Sequence, residues 1–271
     1  MILKENITFV VAVNNDEVFR RNFLSSPCLA SMPGAQIVEQ KGFASASKAY
    51  NDGLDRALYD LVVFCHQDVL LPRTWPLQLQ RALDQLAVLD PKWGVLGSYG
   101  KTSDGRGWGH VYSSGRAVIG EPLNRPVPVQ TLDEIVIILR KSSGLRFDPN
   151  LPHFHFYGTD ICLRAATEAL QSYAISAYCI HNTQQLLVLP SEFYECGRYI
   201  KRVWHDCLPI QTTCVRITRY NLQLYEKKLR EFYLRYIRNK TIGGRRINNP
   251  ELLIAEFGDR ATPPALRSAA S

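Results

Sequence analysis

Leu61-Val62-Val63-Phe64-Cys65-His66-Gln67-Asp68-Val69 is an apolar run that ends on a carboxylate. A short run rich in β-branched and aromatic residues, without polar alternation, predicts an inner parallel strand covered on both faces. Its polar end then falls outside the carboxyl edge of the sheet, where open α/β folds hold their ligands. Just upstream, Ala49-Tyr50-Asn51-Asp52-Gly53 reads as a helix leading into that strand.

Working outward, Ile7–Val13 reads as a first strand, followed by a helix capped at Asn15 or Asp16 and running to about Ser25. Ala35–Glu39 is a short strand. Ser45 or Ser47 opens a helix with Ala49, Leu54, Ala57 and Leu58 at helical spacing. Pro76–Leu89 is amphipathic, and Trp93–Gly97 is a further strand. This alternation predicts a mostly parallel sheet with right-handed crossovers. Ser98–Gly120, rich in glycine and aromatic residues, predicts a long loop or hairpin excursion, with Trp108 and His110 placed to cover a ligand. Beyond it come a strand at Ile135–Leu139, a helix from Tyr157 to about Leu170, a strand at Tyr173–Ile180 ending on His181, and a helix at Ser191–Trp204.

The 271 residues are 46% hydrophobic and 21% charged, enough for one large α/β domain with or without an appendage. No apolar run approaches a membrane span, and Met1–Asn6 is too short and polar for a signal peptide. Seven cysteines, an odd number, fit a reducing cytoplasm better than a disulfide framework. Cys196, His205, Asp206, Cys207 and Cys214 lack ordinary zinc spacing. The net charge of +7 is all in the tail: residues 1–215 carry 20 basic and 20 acidic groups, residues 216–271 carry 12 and 5. A neutral body argues against a nucleic-acid-binding protein.

That tail reads as a long helix from about Thr218 to Asn239. Leu222, Tyr225, Leu229, Phe232, Tyr233 and Tyr236 form an apolar stripe between basic flanks. Two readings are open: contact with an anionic membrane, or a stripe packed on the body or a second subunit. From about Ala261 the chain reads as loosely ordered.

Three polar positions stand out: Asp68 after a buried strand, Asp160 at a helix start, and His181 at a strand end. A carboxylate and an imidazole can share a divalent ion that also holds a diphosphate. A second carboxylate can take an acceptor proton. Each position also has an ordinary structural reading: Asp68 as a helix cap or solvated turn residue, Asp160 as a partner of the helix dipole, His181 as a strand-end residue. His153 and His155 form an HxH pair with no evident third ligand.

The order of these motifs resembles family 2 glycosyltransferases. Gly42-Phe43-Ala44-Ser45-Ala46-Ser47-Lys48-Ala49-Tyr50-Asn51-Asp52-Gly53 and then Leu61–Val69 are similar to that family's nucleotide half. Asp160-Ile161-Cys162-Leu163-Arg164 resembles the helix start of the acceptor half, and His181 the late histidine of the metal site. His66-Gln67-Asp68 and His155-Phe156-Tyr157 are most similar to the branch that includes the streptomycin-biosynthesis StrF type. The likeness covers roughly residues 5–215.

The resemblance implies a GT-A (Rossmann-like) domain over 1–215 with a basic helical extension over 216–271. It implies an inverting, cytoplasmic glycosyltransferase, peripheral at a membrane if the tail binds lipid, that uses a nucleoside-diphosphate sugar and a glycan, lipid-linked or small-molecule acceptor. Val11, Ala12, Val13 and Asn14 would line the nucleotide, Glu39 would contact the base, and Lys48 and Asn51 would lie near base or ribose. Gln67, Asp68 and Trp108 would complete the donor site. Asp68, His181 and His66 would hold the metal, and Asp160 would be the general base.

Two departures stand out. His66 occupies the place of a first carboxylate, which favours Mn²⁺ over Mg²⁺. Tyr157 and Gly158 occupy the places where relatives carry Glu-Asp, so the alternative is a fold that kept nucleotide or sugar binding with altered or lost catalysis. A nucleotidyltransferase is disfavoured by the acidic Val13-Asn14-Asn15-Asp16-Glu17 after the first strand.

Overall fold

The computed structural model describes residues 3–220 and 222–258; the segment from Ala261 lies outside them. β1 (Ile7–Ala12) leads to α1 (Asp16–Arg21), where the Asn15 side chain accepts a hydrogen bond from the Val18 amide. β2 (Gln36–Gln40) leads to α2 (Ala46–Arg56), where the Ser45 hydroxyl caps the Lys48 amide. These are side-chain caps of ordinary N-terminal type. β3 (Leu61–His66) has the bounds its sequence predicts.

The uninterrupted apolar run has a direct cause. Val62 and Phe64 of β3 point into one core with Tyr50 and Leu54 of α2, while Leu61, Val63 and Cys65 point into the opposite core. With both faces covered, no position is left for a polar residue. Gly53 is the close-approach point: a Cβ there would run into the Val10 side chain, so α2 lies tight on β1 only because this residue has none.

After the turn at Gln67-Asp68 come β4 (Val69–Leu70), α3 (Trp75–Leu89) and β5 (Val95–Gly97). Trp75, Leu79, Leu83 and Leu86 of α3 fill the second core. The glycine- and aromatic-rich stretch forms paired strands rather than a loose loop: β6 (Tyr99–Lys101), β7 (Gly107–Ser113) and β8 (Ala117–Gly120). β9 (Val127–Val129), β10 (Thr131–Leu132) and β11 (Val136–Arg140) follow, then α4 (Tyr157–Thr167).

The main sheet has seven strands, ordered β2-β1-β3-β11-β5-β12-β9. β12 (Ser172–Ala174) is parallel to β5, but β11 is antiparallel to both β3 and β5. The sheet is therefore mixed where the alternating pattern predicts mostly parallel strands. The arrangement is α/β, as expected.

One expected strand divides in two. Tyr173–Ile180 separates into β12 and β13 (Cys179–His181), and the second piece joins a different sheet, ordered β10-β6-β7-β13-β4. Both pieces are apolar, so periodicity carries no mark of the break. The division matters because β13 runs antiparallel to β4 with His181 opposite Val69, which brings His181 beside the turn that holds Asp68.

The C-terminal third returns to the body more than an appendage would. β14 (Gln185–Leu186) and α5 (Ser191–Val203) precede a small hairpin of β15 (Ile210–Gln211) and β16 (Arg216–Ile217). α6 (Leu222–Phe232) continues as a π-helical turn at Tyr233–Ile237, so the expected single helix is shorter and irregular at its end. β17 (Ile242–Gly244) then pairs with β14, and α7 (Pro250–Phe257) packs Leu253 against Leu70, Tyr112 and Ile180. No helix of the described residues is long and apolar enough to cross a membrane.

Candidate functional site

A cavity of about 490 Å³ opens at the carboxyl ends of β1 and β3, lined by Ala12, Val13, Asn14, Gln67 and Asp68 among others. Two of its lining residues, His66 and Asp68, converge with His181 beside it to offer three potential ligand atoms. His66 Nδ1 lies 3.4 Å from His181 Nε2, which lies 3.2 Å from Asp68 Oδ1. The three fall within 4.8 Å of one another. Ligands bound to one ion at about 2.1 Å and at right angles stand roughly 3 Å apart, so the spacing suits a shared cation.

The surrounding hydrogen bonds fix the tautomer of His66. The Tyr157 hydroxyl donates to the Glu134 carbonyl at 2.9 Å, a group that can only accept. Its oxygen is then an acceptor for His66 Nε2 at 2.8 Å, so Nε2 carries the ring proton. Nδ1 is left as the acceptor, facing His181 Nε2. Burial, together with the neighbouring His181 charge, pushes His66 down to about 4, which keeps it neutral at pH 7. An oriented neutral imidazole is what a metal ligand requires. Tyr157 thereby supports the ligand set from behind.

Asp68 is buried at 6% exposure. Burial alone would raise its carboxyl, but His181, His66 and Arg246 hold it well below the usual carboxylate range. Arg246 reaches it from the segment after β17: Nη2 donates to Asp68 Oδ2 at 2.7 Å, and Nε donates to the Asn182 carbonyl at 2.9 Å. Asn182 anchors that segment by accepting from the Ile247 amide and donating to the Ile247 carbonyl. Two imidazoles and one carboxylate fit a borderline cation such as Mn²⁺ better than Mg²⁺.

The remaining sequence-derived positions divide. Ala12, Val13, Asn14 and Gln67 line the cavity, and Gln67 accepts from the Asn14 and Asn15 amides, joining β1 to the turn after β3. Val11 is fully buried in the core beneath. Glu39 points outward to Lys41 because β2 alternates, and its neighbour Gln40 faces the cavity instead. Lys48 is exposed on α2, outside the cavity lining. Asn51 pairs with both backbone groups of Phe147 and so ties α2 to the loop before α4. Trp108 packs against the core, and His110 stacks on Tyr178 at 4.5 Å. His153 meets Glu195 while His155 lies against Phe193, so the HxH pair does not converge.

Asp160 needs a correction. It is fully buried, with Oδ2 accepting from Arg164 at 2.7 Å and Oδ1 from Trp204 at 2.8 Å. Arg164 also pairs with Asp148. Both oxygens are engaged away from the cavity, which is the geometry of a structural ion pair rather than a general base.

Another carboxylate stands at the start of α4. Glu134, in the turn between β10 and β11, lies close enough to the Phe156 and Gly158 amides at that helix end for both to favour its charged form. Gly158 makes room for it: a Cβ there would lie 3.2 Å from Glu134 Cγ and 2.7 Å from the Leu132 carbonyl. Burial, with Asp133 beside it, raises Glu134 to about 8 despite the two amides. A carboxylate thus occupies the region left vacant by Tyr157 and Gly158 in the sequence, delivered by a different element. Only the adjacency Asp133-Glu134 before an apolar strand hints at it in the sequence.

No family model matches the chain. A curated protein of Fuscovulum blasticum, described as ATP synthase subunits region ORF 6, is 32% identical over 127 residues, 44% of this chain and 50% of its own. The chain therefore spans about half the length of the curated relative it matches. Among solved structures, it is similar to residues 1–349 of S. aureus TarS, with a TM-score of 0.46 and 13% identity over 94% of this chain and 77% of that one. It is also similar to the mannosyltransferase PcManGT of Pyrobaculum calidifontis in complex with GDP-Man and Mn²⁺, with a TM-score of 0.45 and 12% identity over 98% and 79%. None of these descriptions reaches the streptomycin-biosynthesis branch. The fold rests on the chain's own strand order and the site on its own side chains.

Proposed function

We propose that the chain is a glycosyltransferase that moves a sugar from a nucleoside-diphosphate sugar to an acceptor hydroxyl. The observation that carries this reading is the convergence of His66 Nδ1, Asp68 Oδ1 and His181 Nε2 beside a cavity at the carboxyl edge of the sheet, which His66 and Asp68 line. His66, Asp68 and His181 would hold a divalent ion, Mn²⁺ before Mg²⁺, which would supply positive charge to a leaving diphosphate. Ala12, Val13, Asn14 and Gln67 flank the nucleotide, and Gln40 takes the base-reading place first given to Glu39. Arg246, paired with Asp68, is the proposed cation for the diphosphate. PcManGT, which binds GDP-Man and Mn²⁺, is compatible with this reading, as is the motif order of the StrF-type branch.

Glu134, rather than Asp160, is the proposed general base. The acceptor O–H bond breaks as its oxygen bonds to the anomeric carbon; the proton passes to the Glu134 carboxylate, and the nucleoside diphosphate departs with the bonding electrons. One such displacement inverts the anomeric configuration. The domain reading keeps residues 1–215 as the catalytic body, with Arg246 contributed from the extension. Seven unpaired cysteines suit a reducing cytoplasm.

Calorimetry with UDP-, GDP- and dTDP-sugars in the presence of Mn²⁺ tests the proposal. Saturable binding of one donor, weakened by Asp68→Asn, is expected; binding of none of them overturns it. The Arg246–Asp68 ion pair, which already engages one Asp68 oxygen, favours a second reading, a donor-binding protein without transfer. Tight donor binding with neither hydrolysis nor transfer across an acceptor panel would establish that reading.

A further inference from the structure

The described residues of α6 and the turn after it that border the body are mostly polar. Gln223, Glu226, Lys227, Arg230, Glu231 and Leu234 border a cavity against the hairpin and β14, with Glu231 buried, Lys227 and Leu234 half-buried and the other three exposed. These residues recur at helical spacing, and only one of them is apolar. Glu231 is buried at 7% exposure beside Tyr194. Lys227 sits over the Phe193 ring and Lys228 over the Tyr194 ring, 4.8 Å from its centre. The docking is thus made by charges and aromatic faces of α5.

The apolar side points to solvent. Tyr225, Leu229, Phe232, Tyr233 and Tyr236 share one face, with Leu229 at 72% and Tyr236 at 64% exposure. The Phe232 and Tyr236 rings lie against one another, tilted, with centres 4.7 Å apart. Leu222, expected to share the stripe, is outside the described side chains. A contiguous exposed apolar face marks an interaction site.

Charge selects the partner. Residues 219–240 hold seven basic and two acidic groups, so the face is framed by strong positive charge. A second copy of the same helix would bring like charges together along a symmetric interface. An anionic lipid surface offers the opposite charge and an apolar layer beneath it. Tyrosines and phenylalanine suit that boundary, with the lysine and arginine heads reaching the phosphates. We propose that the outward face of α6, from Tyr225 to Tyr236, docks on an anionic membrane surface and holds the body there as a peripheral protein.

Vesicle co-sedimentation of the full chain tests this, with phosphatidylglycerol–phosphatidylcholine vesicles against phosphatidylcholine alone, at low and high salt. Binding to the anionic vesicles that weakens with salt is expected. The double variant Leu229→Ser/Tyr236→Ser should lose about tenfold or more of that affinity. Both side chains face away from the body, so its circular dichroism and donor binding should be unchanged. Wild-type protein left in the supernatant with anionic vesicles at low salt overturns the proposal. So does analytical ultracentrifugation showing a wild-type dimer that the double variant converts to monomer, because the stripe is then a self-interface.

Discussion

Glu134→Gln separates a working carboxyl from a structural one. In the folded chain burial and Asp133 raise Glu134 to about 8, against 4.5 for an ordinary glutamate. The folded state therefore keeps a proton at pH 7 that the unfolded chain has released. The stability linked to this group is full below pH 4.5 and is lost as the pH climbs towards 8. At about 1.4 kcal/mol per unit, the loss by pH 7 is on the order of 3 kcal/mol. The residue keeps partial contact with solvent, and screening reduces the effect to roughly 2 kcal/mol. Glutamine keeps the shape of the side chain and never ionises. Urea denaturation of both proteins should therefore give nearly equal stabilities near pH 5 and a more stable variant by roughly 2 kcal/mol near neutrality. Transfer should behave oppositely, with the variant slower by about 100- to 10,000-fold. The wild-type rate should rise with pH as the carboxyl ionises near 8. A stability gap independent of pH, or a transfer rate flat across this range, refutes the assignment.

Other perturbations have equally definite outcomes. Tyr157→Phe removes the acceptor of the His66 Nε2 proton, so Mn²⁺ affinity measured by calorimetry should fall about 10- to 100-fold. Arg246→Ala strips the cation from Asp68; Mn²⁺ alone should then bind more tightly and the nucleotide-sugar less tightly, and a parallel fall in both would argue against a diphosphate contact. Gly158→Ala sets a methyl 2.7 Å from the Leu132 carbonyl, and a thermal melt should register about 1–3 kcal/mol of destabilisation. Asp160→Asn should lower stability by roughly 1–3 kcal/mol and leave donor affinity unchanged; lost donor binding would return Asp160 to the site.

How much of this is legible in the sequence depends on whether the deciding interaction is local. β3 and α2 are readable because both causes lie within a few residues: an inner strand with two apolar faces, and a Ser45 cap opening a helix. The turn that carries Asp68 follows from where β3 ends. Arg246 gives no such sign, since it meets Asp68 from 178 residues away. The split of 172–181 between two sheets is equally silent, because both pieces are apolar and only their partners differ.

Asp160 and α6 make one physical point from opposite directions. Helical periodicity fixes which residues share a face and leaves open which way the face turns. At α4 the turn is set by Arg164 and Trp204, which draw Asp160 into a buried pair, while Glu134 arrives near the buried helix start from the β10–β11 turn. At α6 the rule that apolar faces turn inward fails because α5 offers the rings of Phe193 and Tyr194 to lysines. Ring faces attract cations, so Lys227 and Glu231 take the inner positions and the aromatic stripe is left to solvent. In both helices the periodicity read from sequence is right, and a side chain far away in the chain decides what it is used for.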